Sequence, residues 1–161
     1  MLEALLAASI LAIAVVAIAL PFTAGLRTQA LEARQTLGVS LAETLMEEIL
    51  ARPFEEPEDG DEVAEPVEDF GPDVGESNRL QYSAIDDYHG CTEPEGSIVD
   101  SQGADVDDEA AAGLSRHVTV EYVDVAGQVP GGAPCFLRVT VEVRYLGDPL
   151  VTLTRLVHWL N

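Results

Sequence analysis

Hydrophobic and polar positions divide the chain into stretches of different period. From Ala4 to Leu26 there are 23 residues without a charge, and only Ser9, Pro21, Thr23 and Gly25 fall outside the clearly apolar set. At about 1.5 Å per residue such a helix is roughly 34 Å long, enough to cross a hydrocarbon core of about 30 Å. A secretory signal peptide has a basic n-region and an apolar core of about 7–15 residues. Here the core is longer, and no Lys or Arg precedes Arg27. A buried helix that is apolar all round needs a large core about it, which the acid-rich remainder of the chain does not supply. The stretch therefore predicts a helix embedded in a membrane or in the core of a helical filament. Pro21, which removes an i to i−4 hydrogen bond, marks a kink.

Beyond Leu26 the period stays helical but one-sided. Leu26, Ala30, Ala33, Leu37, Leu41, Leu45 and Ile49 recur at spacings of three and four, with Arg27, Gln29, Glu32, Arg34, Glu43, Glu47 and Glu48 mostly on other faces. The pattern stops at Arg52-Pro53, where proline restrains the residue before it from helix. From Phe54 to about Asn78 no period is usable, and the Pro-, Gly- and acid-rich composition predicts a loop. Leu80, Tyr82 and Ala84 alternate with polar neighbours and predict a short strand, followed by a second acidic loop from Thr92 to Ala112.

The last third alternates. Arg116–Ala126 carries Val118, Val120, Tyr122, Val123 and Val125. In Phe136–Leu146, Leu137, Val139, Val141, Val143 and Tyr145 face one way and Arg138, Thr140, Glu142 and Arg144 the other. A Gly147-Asp148-Pro149 turn then leads to a further strand, Leu150–Leu160, forming a hairpin. An antiparallel sheet with one apolar face needs a cover, and the amphipathic half of the helix supplies it. The expected fold class is α+β. Its parts are an apolar helix over 1–26, an amphipathic continuation over 27–53, an acidic loop-rich region over 54–114 and an antiparallel sheet over 115–161.

Charge narrows the partners. The net charge is −21, from 29 acids against 8 bases, all of them Arg, and 20 of the acids lie between Glu55 and Glu109. Nucleic acid is excluded as a partner for want of a basic footprint. The acidic middle predicts a solvated, poorly packed insert. Its Asp105, Asp107, Asp108 and Glu109 lack the glycine and closing glutamate of an EF-hand loop. Cys91 and Cys135 are either one disulfide, if the domain lies outside the cytoplasm, or two free thiols. His89, His117 and His158, taken with the cysteines, do not have zinc-site spacing. Asp86 and Asp87 are paired carboxylates without a visible set of catalytic partners. No nucleophile elbow, phosphate loop, dinucleotide fingerprint or H-E-x-x-H is present, so neither an enzyme nor a bound cofactor is expected.

Glu3 stands at the start of the apolar helix. It either reaches the membrane interface as a terminal charge or meets a cationic partner when helices pack, most economically the α-amino group of a neighbouring copy. The helix dipole favours a carboxylate there in both cases.

These features together resemble the type IV pilin and pseudopilin superfamily. Met1-Leu2-Glu3-Ala4-Leu5-Leu6-Ala7-Ala8-Ser9-Ile10-Leu11 is similar to the stretch just after the prepilin-peptidase site, and Pro21 to that family's helix-bending proline. Leu41-Ala42-Glu43-Thr44-Leu45-Met46-Glu47-Glu48-Ile49-Leu50-Ala51-Arg52-Pro53-Phe54 and Asp86-Asp87-Tyr88-His89-Gly90 resemble the minor pilins of the mannose-sensitive haemagglutinin system. The quoted residues make up about a fifth of the chain. The resemblance implies a pilin-like fold and a single-pass subunit of the inner membrane with its C-terminal domain in the periplasm. It also implies partners, namely an assembly platform and other pilins joined through the helix in a type IV pilus or type II secretion pseudopilus. Glu3 matches the family's glutamate that pairs with a neighbour's N-terminal amine. The family's basic leader and cleavage-site glycine do not precede Met1, so either processing cannot occur or, as we expect, the gene starts earlier, with an in-frame segment that carries Lys or Arg and ends in Gly-Phe-Thr or similar. The competing expectation, from another class, is a membrane-anchored extracytoplasmic binding module whose acidic loops take calcium or a basic ligand.

Overall fold

The computed structural model describes residues 2–54, 70–126 and 136–158, without the side chains of residues 20, 21, 23 and 24. Its elements are helix α1 (Leu2–Leu50), strands β1 (Thr92–Glu93), β2 (Leu114–Tyr122), β3 (Phe136–Tyr145) and β4 (Asp148–His158), and three short 3-10 turns at Arg79–Gln81, Asp86–Tyr88 and Glu109–Ala111. The class is α+β. The chain forms two units, Met1–Thr36 and Leu37–Asn161.

The first unit is helix alone. Ala and Leu dominate it, both good helix formers, and the assignment runs through Pro21 without interruption. All residues whose side chains are described from Leu2 to Ala33 are exposed. The expected apolar stripe therefore begins to be buried only at Leu37, and Leu26, Ala30 and Ala33 are not part of it.

In the second unit the helix and an antiparallel meander share one core. The strand order is β1-β2-β3-β4. Register runs from Leu114↔Tyr145 to Tyr122↔Leu137 between β2 and β3, and from Phe136↔His158 to Tyr145↔Asp148 between β3 and β4, with a bulge at Val143/Arg144. The alternation read in β3 is the observed one: Leu137, Val139, Val141 and Val143 are buried and Arg138 and Arg144 exposed. Leu41, Ala42, Leu45, Met46 and Ile49 of α1 join these valines in one cluster with Val118, Val120, Ile85 and Tyr88. At Gly38 the helix lies close to the sheet: a Cβ there would lie 3.0 Å from Leu150 Cδ2, with Val151 and Val143 beyond. The helix ends as its sequence requires, the Arg52 amide turning back to the Ile49 carbonyl before Pro53.

Three expectations are corrected. Leu80–Ala84 is not a strand. The Asn78 side chain accepts from the Leu80 amide and the Asp87 carboxylate accepts from the Ser83 and Ala84 amides at 2.8 Å, so local side chains take the donors a ladder would have used. The β3–β4 turn is Leu146-Gly147 rather than Gly147-Asp148-Pro149. Both residues have positive φ, 49° and 86°, as a two-residue hairpin with the right twist demands, and the Leu146 amide is held by the Gly113 carbonyl at 2.8 Å. Finally, part of the acidic middle is packed: Asp86, Asp87 and Glu93 are buried, and β1 is paired to β2 within it.

The Gly38 contact yields a graded test. Gly38→Ala is close to neutral, because helix propensity gains about 1 kcal/mol while the flexible end of Leu150 gives way. Gly38→Leu is expected to cost about 1–3 kcal/mol by overpacking. Urea unfolding of the full chain in mild detergent measures both, and equal stability of the Leu variant would show that helix and sheet are not pressed together there.

Candidate functional site

The N-terminal unit offers one feature of chemical interest. The window Leu2–Ala19 has a mean hydropathy of 2.5 and none of it is buried, so this is one helix long and apolar enough to cross a membrane. Glu3 lies in its first turn, the single acid there. Ser9 satisfies its hydroxyl on the Leu6 carbonyl at 2.8 Å, which leaves no other polar side-chain group wanting a partner between Glu3 and Ala19.

In the second unit the polar side chains converge on a buried ion network. Strand β2 places Leu114, Arg116, Val118 and Val120 on its core face. Arg116 is 2 % exposed and spends every donor group. It forms an ion pair with Glu93, Nε lying 2.6 Å from Oε2, and its terminal nitrogens donate to the carbonyls of Leu41 and Val99. Glu93 also faces Arg79 at 3.6 Å, and Arg79 faces Glu48 of α1 at 3.5 Å while donating to the Val99 and Asp100 carbonyls. The Tyr88 hydroxyl donates to Glu48 at 3.0 Å and is bonded by Arg52. Burial, relieved in part by Arg52, pushes the Tyr88 phenol up to about 12. Within the buried set two arginines, Arg79 and Arg116, face two carboxylates, Glu48 and Glu93.

Sequence reasoning placed Glu48 on the helix's outer faces and passed over Arg79, Glu93 and Arg116. The signal was available: Arg116 shares the parity of Val118 and Val120, and a cation on the core face of a strand requires buried carboxylate and carbonyl partners.

The other candidates are dispersed. Asp86 and Asp87 are buried at a turn, and the Asp87 oxygen that holds two amides is structural in effect. His89 Nδ1 lies 2.6 Å from the Val120 carbonyl, its ring against Phe70. His117 meets Thr92, and His158 stacks near Phe136. Among the described residues no three His, Cys, Asp or Glu side chains are placed to hold a metal ion. Cys91 is a half-buried free thiol, its pKa raised by burial and by Glu93, a setting that suppresses thiolate reactivity. Cys135, the other half of the anticipated bridge, lies outside the described residues. Arg79, Tyr82, His89, Cys91 and Glu93 line an open cleft of about 450 Å³, whose charged groups are those already neutralised in the network.

Two measurements probe the network. Arg116→Ala leaves Glu93 buried beside the more distant Arg79 and is expected to cost about 3–5 kcal/mol, whereas Arg116→Met with Glu93→Leu recovers most of that loss. Denaturant unfolding of the three proteins compares them. The second concerns alkaline pH. Because the Tyr88 pKa is raised above its unfolded value near 10, its contribution is complete below about pH 10 and disappears as pH rises to about 12, by at most about 2–3 kcal/mol. Tyr88→Phe should flatten that limb of the stability–pH curve, and an unchanged limb would remove Tyr88 as its source.

Comparison of the chain with protein-family models, with curated proteins and with solved structures returned no match.

Proposed function

We propose that the protein is a minor pilin or pseudopilin, a structural subunit held in the inner membrane by the first half of α1 and carried into a type IV pilus or type II secretion pseudopilus. The observation that supports this reading most is the unburied apolar helix Leu2–Ala19 with its lone first-turn acid. The same helix has its last turns, Leu41 to Ile49, in the core of a four-stranded antiparallel sheet. An apolar surface of that extent is stable only when lipid or other helices cover it. Both coverings serve a subunit that leaves the bilayer for a helical bundle.

Glu3 has a defined part in this reading. In hydrocarbon a carboxylate without a counter-charge is costly, and the helix dipole offsets only a fraction of that cost. A neighbouring subunit's N-terminal ammonium group neutralises it and sets the two helices in register. The pairing favours addition of one subunit at a time. The domain is then periplasmic before assembly, and the subunit acts through other pilins and an assembly platform and has no catalytic role of its own. Pro21, where the helix lacks a backbone donor, gives the helix a place to bend within the bundle.

Glu3→Ala separates anchoring from assembly. Membrane fractionation is expected to find the variant inserted at the normal level, while sheared filament preparations lose it. Incorporation at the unchanged level would remove Glu3 from assembly, and loss from the membrane fraction would make the residue one needed for insertion.

A further inference from the structure

The two edges of the sheet are unlike. The β1 edge is two residues long and is followed at once by Pro94, which has no amide hydrogen to offer. At the opposite edge β4 runs for eleven residues and pairs with β3 alone. No described strand lies on its other side. Exposed edges are ordinarily blunted by charge, proline, bulges or short length, because their free amides and carbonyls form a template for another strand. In β4 the proline and the bulge sit at the very start, at Pro149 and opposite Val143/Arg144. From Leu150 to His158 there is no carboxylate, in a chain of net charge −21.

The side chains along this edge have a pattern of their own. Val151, Leu153 and Val157 stand opposite Val143, Val141 and Leu137 and are half-buried at the rim of the core. Arg155 stands on the same face opposite Val139, yet is exposed. Other sheet arginines have carboxylates: Arg116 has Glu93, Arg138 has Glu121 and Arg144 has Glu142. The Arg155 guanidinium instead reaches back to its neighbour's carbonyl, Thr154 O, at 3.2 Å. On the opposite face Leu156 is 58 % exposed.

We propose that the outer edge of β4, which no described strand covers, takes up an extended segment of another polypeptide as a fifth strand, with a carboxylate set opposite Arg155 and apolar residues two positions to either side against Leu153 and Val157. Main-chain hydrogen bonds supply affinity in such strand addition, and alternate side chains supply selection. The charge pattern names the occupant. Elsewhere the carboxylates of this protein repel an acidic segment, while here an acid meets the sheet arginine that has no carboxylate partner among the described residues. Apolar flanks on the incoming strand extend the half-buried row Val151, Leu153, Val157. A basic strand would set like charges side by side, which is destabilising.

The test uses the full chain in mild detergent with a synthetic probe, acetyl-VTVTELVTV-amide, and the same peptide with Lys in place of Glu. Amide hydrogen exchange read by mass spectrometry is expected to show new protection over 150–158 with the Glu peptide, and fluorescence anisotropy to show the Lys peptide binding about fivefold to tenfold more weakly. Arg155→Glu, at an exposed position, should reverse the preference. Protection elsewhere in the chain, no protection at millimolar peptide, or a Glu/Lys preference unchanged in the variant would each overturn the proposal. Concentration-dependent self-association through β4 without peptide would assign the edge to a second copy and overturn the stated occupant.

Discussion

Glu93 is the point on which the second unit depends. Its carboxylate lies where strand β1, strand β2 and the segment carrying Arg79 meet, and it holds Arg116 directly and Arg79 at longer range. Removing a charge from water is expensive, and only close, multiply bonded counter-charges offset the cost. Here the offset is assembled from four separate parts of the chain: α1 through Glu48 and the Leu41 carbonyl, the Arg79 turn, β1, and β2. None of the groups can leave without stranding another. The network thus ties the acidic middle to the helix and the sheet, where a purely apolar interface would have left that segment free to slide.

This explains why so acidic a chain builds a core at all. Of the acids between Glu55 and Glu109 that the structure describes, Asp86, Asp87 and Glu93 turn inward. Asp87 is satisfied by main-chain amides and Glu93 by arginines. Exposed acids such as Asp100 and Asp108 serve nearby amides of their own loops. Their carboxylates act locally as turn formers and do not require a ligand. The same accounting leaves the apolar N-terminal helix as the feature with no internal explanation.

Much of the fold was legible in residue periodicity. The alternation of β3, the hairpin to β4 and the helical stripe from Leu37 to Ile49 are each set by burial of one face, and burial is what hydrophobic pattern encodes. What the pattern did not disclose was set by polar side chains. Leu80–Ala84 alternates like a strand, but Asn78 and Asp87 take its amides. β1 is too short to carry a period. The β3–β4 turn moved because Leu146 accepts a left-handed conformation that its residue type disfavours, held by a bond to Gly113 that no local sequence rule contains. The apolar helix was readable directly from composition. The ion network required knowing that Arg116 and Glu93 are adjacent across β1 and β2, a long-range fact.

The bond from Arg116 to the Leu41 carbonyl joins residues 75 apart in sequence, and it sets an order of events. Strands β2, β3 and β4 form a meander in which each pairing is with the next strand, so it can form through comparatively local contacts. Docking the helix closes a far longer loop, whose entropy cost rises with length. Until then the core face of the sheet, Arg116 included, is open to solvent. The valine-lined core face of the sheet is therefore the surface most exposed to aggregation in the interval before the helix docks.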